Sequence, residues 1–162
     1  MTKFFLIIII FLSKVITANE ASKDIKIWAM QASKSILSFS YYDNETYWQK
    51  LRPIFTKQGW LIFNKELSND TIKLIKDYEL ASMLNIEKSS IKLKKNQNNL
   101  WSISIHALIN YYGEKKSISY PIVISMNINW DNKKINKFSS KIINQPVYKK
   151  IYPRGCNLRK FP

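Results

Sequence analysis

The sequence predicts an α+β fold in which a group of helices precedes an antiparallel sheet. Apolar residues recur every three or four positions in the first half of the chain, which is the spacing of one helix face. The period changes to two at about Tyr78, and two long alternating segments follow, as in strands that bury one face. Helices followed by strands are typical of the α+β class, where the helices cover one side of the sheet.

The first two predicted helices lie before Pro53. Residues 22–39 form the first, and Tyr41 and Tyr42 close it. Its apolar stripe consists of Ile25, Trp28, Ala29, Ala32, Ile36 and Phe39. Asp43 or Asn44 caps the second helix, and Pro53 ends or redirects it. The apolar residues of that short helix are Tyr47, Trp48 and Leu51.

Two further helices are predicted before the period changes. Thr56 caps the third of the series, which carries Trp60, Leu61, Phe63, Asn64 and Leu67. Asn69 or Asp70 starts a short fourth helix that runs through Ile72 and Ile75. The first half is therefore a set of helices with one apolar face each.

The second half alternates as strands do. Residues 80–85 form a first extended segment, and Ile91 and Leu93 belong to a second short one. Residues 101–111 place Trp, Ile, Ala or Tyr at every second position, and residues 118–130 place an apolar residue at every second position seven times in a row. Gly113, Glu114 and Lys115 form the turn between them, so these two strands pair antiparallel.

The last thirty residues are basic and contain no carboxylate. The basic residues are Lys133, Lys134, Lys137, Lys141, Lys149, Lys150, Arg154, Arg159 and Lys160. Three of the five prolines of the chain also lie there. We expect an edge strand over residues 141–148 and an extended basic tail over residues 149–162.

Composition excludes several classes of function. The chain has 162 residues and only three glycines, Gly59, Gly113 and Gly155. Neither of the common glycine-rich phosphate-binding motifs therefore occurs in it. One cysteine and one histidine cannot form a four-coordinate zinc site or an internal disulfide. The sequence therefore predicts no cofactor, no metal and no catalytic residue.

The N-terminal residues have the pattern of an export signal. Lys3 precedes nine apolar residues, and such a run spans only about 14 Å as a helix, roughly half of a bilayer core. We assign residues 1–21 to a signal peptide, with cleavage near Ala18 or Ala21, and residues 22–148 to one exported domain. A periplasmic location follows, and retention of the segment as a membrane anchor stays open.

Each residue that could serve in catalysis or ligand binding can also be explained by a structural role. We favour the structural role in every case. His106 lies on the strand face opposite Trp101, Ile103 and Ile105, where a solvent-facing imidazole needs no special role. Cys156 in the basic tail is an incidental thiol. The carboxylate pairs are Asp43 with Glu45 and Asp77 with Glu79, and we expect them in caps and turns. The aromatic residues Trp28, Trp48, Phe55, Trp60, Phe63 and Trp101 are expected in the core.

The charge is high, but it is mainly lysine. Of 26 basic residues only Arg52, Arg154 and Arg159 are arginine, and the net charge is +15. Proteins that read bases typically use arginine together with exposed aromatic rings, so the composition argues against a nucleic-acid groove. Contact of residues 133–160 with anionic envelope polymers stays open.

The order of aromatic and small residues resembles the periplasmic domain of the DotI/IcmL proteins of type IVB secretion systems. The most specific part is Phe55-Thr56 followed by Gly59-Trp60, Phe63 and Leu67. Further matching positions are Trp28, Phe39, Tyr41, Tyr42, Leu51, Trp101, Tyr111, the 122–128 strand, Ile142 and Gln145. The resemblance covers residues 23–148.

The resemblance implies a fold like that of nuclear transport factor two, a cystatin-like cone of helices on a curved antiparallel sheet. It also implies a scaffold without a reaction, whose partners are envelope proteins of a secretion or conjugation apparatus; self-association stays open. Family members carry a cytoplasmic segment and a spanning helix before this domain, whereas the apolar run here begins at Phe4. We therefore expect a free or loosely attached periplasmic relative. The alternative is a small-ligand binder or enzyme with a cavity between sheet and helices.

Overall fold

An open antiparallel sheet of five strands carries the helices on one face, in a computed structural model that describes residues 2–43, 45–66, 75–113 and 116–151. The helices are α1 (Thr2–Leu37), α2 (Glu45–Gln49) and α3 (Lys57–Glu66), with a 3-10 turn at Arg52–Ile54. The strands are β1 (Ala81–Lys95), β2 (Leu100–Tyr112), β3 (Lys116–Asn129), β4 (Lys134–Ile142) and β5 (Tyr148–Ile151). The predicted α+β class is confirmed.

Helix α1 packs the predicted stripe on the sheet. Ile25, Ala29 and Ile36 are at most 2% exposed, and Ser33 between them is fully buried. The small residues let the helix approach the sheet closely, so the Ser33 hydroxyl lies 3.9 Å from the Met126 sulfur. The helix begins at Thr2 rather than at residue 22, because neither proline nor glycine interrupts residues 2–37. Cleavage of the signal stays a prediction.

None of the helices in the described ranges has the length and apolar character needed to cross a membrane.

The predicted short helices before residue 67 are confirmed, with Trp48 and Leu51 buried and Pro53 inside the 3-10 turn. Leu67 of the predicted third helix and residues 69–74 of the predicted fourth lie outside the described part, and Ile75 is buried.

The start of β1 holds the end of α1 in place. The Ser82 hydroxyl donates to the Leu37 carbonyl and accepts from the Phe39 amide at 3.3 Å, while the Ser82 amide donates to the Phe39 carbonyl at 2.7 Å. Two residues further along β1, the Leu84 amide donates to the Ser38 hydroxyl at 3.1 Å. These bonds satisfy backbone groups that a helix end leaves open, and they fix α1 against this edge of the sheet.

The sheet order is β1-β2-β3-β4, with β5 also paired to β3. The predicted pair of long strands is β2 and β3, which match from Leu100 with Asn129 to Tyr112 with Ser117. The two short extended segments before them are one strand, β1, whose register shifts between Ile86 and Ile91. Both isoleucines face the helices although five positions separate them, which hides the strand from a search for strict alternation.

The predicted edge strand over residues 141–148 is wrong. Strand β4 ends at Ile142, residues 143–147 are irregular, and β5 begins at Tyr148. The cause is Pro121 in β3, whose carbonyl accepts from the Ile143 amide at 3.1 Å but which has no N–H to return. Pairing resumes where the Val147 amide donates to the Ser119 carbonyl at 3.0 Å. Strand β5 carries the sheet to Ile151, three residues into the segment assigned to the tail, whose residues 152–162 lie outside the described part.

Helix α3 is anchored to β4 by the most specific part of the sequence series. Phe55 pairs with Ile135 in a parallel bridge, and the Thr56 amide donates to the Ile135 carbonyl at 3.0 Å. The Thr56 hydroxyl caps α3 by accepting from the Gly59 amide at 3.1 Å, as predicted. A Cβ on Gly59 would lie 2.2 Å from the Ile135 carbonyl oxygen, so only glycine fits at this approach.

Candidate interaction surface

The single histidine lies on the side of the sheet that the helices do not cover. His106 is exposed in β2, while its neighbours Ile103 and Ile105 are at most 2% exposed and face the helices. The predicted orientation is confirmed, and the imidazole is therefore separated from the core by the sheet itself. Cys156 lies outside the described residues.

The two carboxylate pairs lie in turns and at helix ends, as expected. Asp43 accepts a hydrogen bond from the Ser40 amide at 2.7 Å and stabilises the turn after α1. Asp77 and Glu79 are exposed before β1, where Glu79 takes a positive φ of 47°. Glu45 is the first residue of α2. Among the described residues no group of three or more His, Cys, Asp or Glu could hold a metal ion.

The aromatic residues pack on one another. The Phe55 ring lies 4.8 Å from the Phe63 ring and 5.8 Å from the Trp60 ring, between centroids, and Phe63 meets Phe138 of the sheet at 6.2 Å. Trp48 packs on Phe39 at 5.8 Å. At the opposite end of the sheet, Trp28 meets Trp130 edge to face. The prediction that these side chains belong to the core is confirmed for Trp48, Phe55, Trp60 and Phe63, whereas Trp28 and Trp101 are half-buried against it.

Two half-buried tyrosines have perturbed acidity. Burial raises the pKa of Tyr47, and the nearby Asp43 charge raises it further. Its hydroxyl donates to the carbonyls of Ser35 and Ser38, each at 2.9 Å, and so helps to close the end of α1. Burial also raises the pKa of Tyr111, with a smaller effect of Tyr120, whose ring centroid lies 6.2 Å away. Both phenols stay neutral at physiological pH and act as structural groups.

The uncovered side of the sheet carries a basic, hydroxyl-rich surface. The register aligns four strands in two rows, first Lys94, Ser102, Asn127 and Lys137, and then Lys92, Ser104, Ser125 and Ser139. In the next row Lys141 stands opposite Val123, which pairs with His106. We call the residues of the first two rows, together with Lys141, the basic sheet face.

A shallow groove of about 270 Å³ runs across this face over β1, β2 and β3. Small polar side chains line its floor together with Leu93, Ile103 and Met126. The Ser102 hydroxyl donates to the Asn127 amide oxygen at 3.1 Å and accepts from the Asn96 side chain at 2.9 Å. Lys92 and Lys94 of β1 also line the groove, so it presents hydroxyl and amide groups beside two cationic side chains.

Sequence reasoning missed this surface because it followed the apolar half of each alternation. The signal was present at the other half, where Ser, Asn and Lys occupy the alternate positions of three consecutive strands. Lys137 and Lys141, which are among the basic residues of the last thirty, belong to the regular strand β4.

Three solved structures share this fold. An IcmL-like type IV secretion system protein from Legionella pneumophila superposes with a TM-score of 0.62 at 15% identity, over 78% of this chain and 96% of its own. The periplasmic domain of DotI gives 0.58 at 17% identity, over 74% and 94% of the two chains. A periplasmic fragment of TraM gives 0.55 at 14% identity, over 75% and 98%.

The fold is that of the DotI/IcmL-like periplasmic domains. No protein-family model and no curated protein matches the chain. The likeness therefore lies in the architecture, which the three structures share across nearly their whole length. The expected arrangement, like that of nuclear transport factor two, is confirmed by the open antiparallel sheet with its helices on one face.

Proposed function

We propose that this protein is a non-enzymatic interaction module of the bacterial periplasm that associates with a type IVB secretion or conjugation apparatus. The observation that carries the proposal is the shared fold, because three domains with this architecture come from type IV secretion proteins or a related TraM protein. The Phe55-Thr56 to Phe63 series supports it, since Phe55, Thr56 and Gly59 join α3 to β4.

The chemistry of the described residues supports a binding role. Among the described side chains no carboxylate is buried, and the imidazole of His106 faces away from the helices. A ligand-binding or catalytic cavity between sheet and helices would need such groups on the inner side, where rings and aliphatic chains fill the space. The alternative of a small-ligand enzyme therefore lacks candidate residues in the described part of the chain.

Export is part of the proposal. The nine-residue apolar run after Lys3 provides the signal, and a chain cut near Ala18 or Ala21 would keep the buried residues of α1 from Ile25 to Ile36. Mass spectrometry of the protein purified from a periplasmic extract should find an N-terminus at about residue 19 or 22. An intact N-terminus in the membrane fraction would show an anchored protein instead.

Affinity capture tests the association. The full chain carrying a C-terminal tag is produced in its source bacterium under conditions in which the secretion apparatus assembles, and is purified from a detergent-solubilised envelope. An unrelated exported protein with the same tag is the control. We expect type IV secretion components to be enriched over the control. Recovery of none of them, with the tagged chain present in the envelope, would overturn the proposal.

A further inference from the structure

The basic sheet face has charges without partners in the described structure. Lys92, Lys94, Lys137 and Lys141 are exposed, and no carboxylate stands in the two rows that form the face. None of the four ammonium groups makes an ion pair with a described residue. Like charges held together without counter-charges repel one another, so an anionic surface that covers them gains attraction and relieves that repulsion.

The geometry sets the size of the binding group. Lys94 and Lys137 stand at the two ends of one row, three strand spacings or about 14 Å apart. This distance exceeds the screening length of about 8 Å at physiological ionic strength, so the two edges attract separate anionic groups. A partner that engages both edges must therefore carry several carboxylates spread over a length comparable to the width of four strands.

The floor of the groove favours a protein partner. Ser102, Ser104 and Ser125 offer hydroxyl groups, and Asn127 offers an amide, all within reach of short polar side chains that enter between the lysines. The two rows present no aromatic ring on which a base could stack and no arginine for bidentate phosphate contact. They also present no apolar side chain that could insert into a bilayer.

We propose that the basic sheet face docks an acidic protein segment, whose carboxylates meet the lysines at the rim while its backbone or short side chains bind the hydroxyl floor. The inference rests on the proposed function as an interaction module and adds the chemistry of the partner. It also places anion binding on the basic sheet face, whose only lysines from the basic segment of residues 133–160 are Lys137 and Lys141.

A labelled decapeptide of alternating Glu and Ser tests the proposal by fluorescence anisotropy with the full-length protein, and the Gln-Ser decapeptide is the uncharged control. Three variants remove the same number of charges. The face variant is Lys92→Gln, Lys94→Gln and Lys137→Gln. The helix-side variant is Lys57→Gln, Lys65→Gln and Lys76→Gln, all exposed. The tail variant is Arg154→Gln, Arg159→Gln and Lys160→Gln. Circular dichroism and melting temperature establish that each is folded.

We expect the wild type to bind the Glu-Ser peptide and not the Gln-Ser peptide. The face variant should bind about tenfold more weakly, because three exposed charge contacts are lost, whereas the helix-side and tail variants should change by less than about twofold. Binding should weaken steeply with salt. No binding by the wild type, or an equal loss in all three variants, would overturn the proposal. A loss confined to the tail variant would overturn it too.

Two further probes separate the partner classes. Vesicles of phosphatidylglycerol and a single-stranded DNA oligonucleotide should bind more weakly than the peptide, and tighter binding of either would contradict the choice of a protein segment. Affinity capture separates this inference from the proposed function. If the face variant retrieves the same secretion components as the wild type, the docking face is wrong and the module stands; if the wild type retrieves none, the proposed function itself fails.

Discussion

Gly59 sets the distance between α3 and the sheet. Its amide is the group that Thr56 caps, and its α carbon lies against the Ile135 carbonyl oxygen, which a Cβ would approach to 2.2 Å. Backbone atoms on the far side cannot rotate away as a side-chain tip can. Glycine is therefore required at position 59 for a steric reason. This requirement accounts for the glycine before Trp60 in the residues that resemble the DotI/IcmL domains.

The substitution Gly59→Ala should lower the free energy of unfolding by about 1–3 kcal/mol, because the helix must shift away from β4. In an exposed helix the same change raises stability by about 0.5–1 kcal/mol, so the sign of the effect is diagnostic. Urea denaturation provides the measurement, and Asn64→Ala, exposed in the same helix, is the control with little expected effect. A more stable Gly59→Ala protein would refute the close approach.

The stabilisation of the end of α1 depends on the protonation state of Tyr47. Its pKa is raised by burial first and by Asp43 second, so the neutral phenol is favoured in the folded state. The stabilisation is therefore complete below the ordinary pKa of 10.0 and is lost as the pH rises through the folded value. The hydrogen bonds to Ser35 and Ser38 need the same neutral hydroxyl.

We expect Tyr47→Phe to lower the free energy of unfolding by about 1 kcal/mol at neutral pH, since two carbonyls lose a donor. The difference from the wild type should shrink above pH 10, where the wild-type phenol ionises. Guanidinium denaturation at a series of pH values measures this. Tyr42→Phe, with its ring 65% exposed, is the matched control. A difference that grows at alkaline pH would contradict the assignment.

At the scale of elements, strand β4 is buried near its beginning and exposed at its end. Ile135 is fully buried where α3 docks, whereas Ile142 at the end of the same strand is 49% exposed beside the break opposite Pro121. The two residues differ in burial but not in type. They therefore provide a comparison of what the strand contributes at each end.

Ile135→Ala should cost about 2–5 kcal/mol of unfolding free energy, because the cavity opens beneath Phe55 and next to α3. Ile142→Ala should cost less than about 1 kcal/mol. Thermal and urea denaturation of the two variants measure the difference. Equal losses would mean that the end of β4 is as well packed as its beginning, contrary to the structure.

The same strand shows what the sequence could predict. The stripe of α1, the Thr56 cap and the pairing of β2 with β3 follow from regular periods and local capping chemistry, and all are confirmed. Strand β4 was missed because its register shifts opposite Asn127 and Ile128, which leaves Ile135 and Phe138 both inward at a spacing of three. Such irregularities depend on the neighbouring strand, so one strand read alone does not reveal them.

At the scale of the whole molecule, part of the net charge of +15 is concentrated on one surface. Two rows of the uncovered sheet face combine lysines with small polar side chains, while the opposite face is buried under α1 and α3. The basic sheet face was not predicted, because its residues come together only when four strands are aligned. The helices, in contrast, supply stability and shape. This division favours a protein that works by presenting a surface.

The central claim is association with a secretion apparatus, and site-specific photocrosslinking in living cells tests it most directly. A photoreactive amino acid replaces Ser125 on the basic sheet face or Lys57 on the helix side, and adducts are identified by mass spectrometry in a bacterium that assembles the apparatus. We predict adducts between the Ser125 position and a type IV secretion component, with fewer from the Lys57 position. Folded protein in the envelope that yields no adduct with any secretion component from either position would contradict the account.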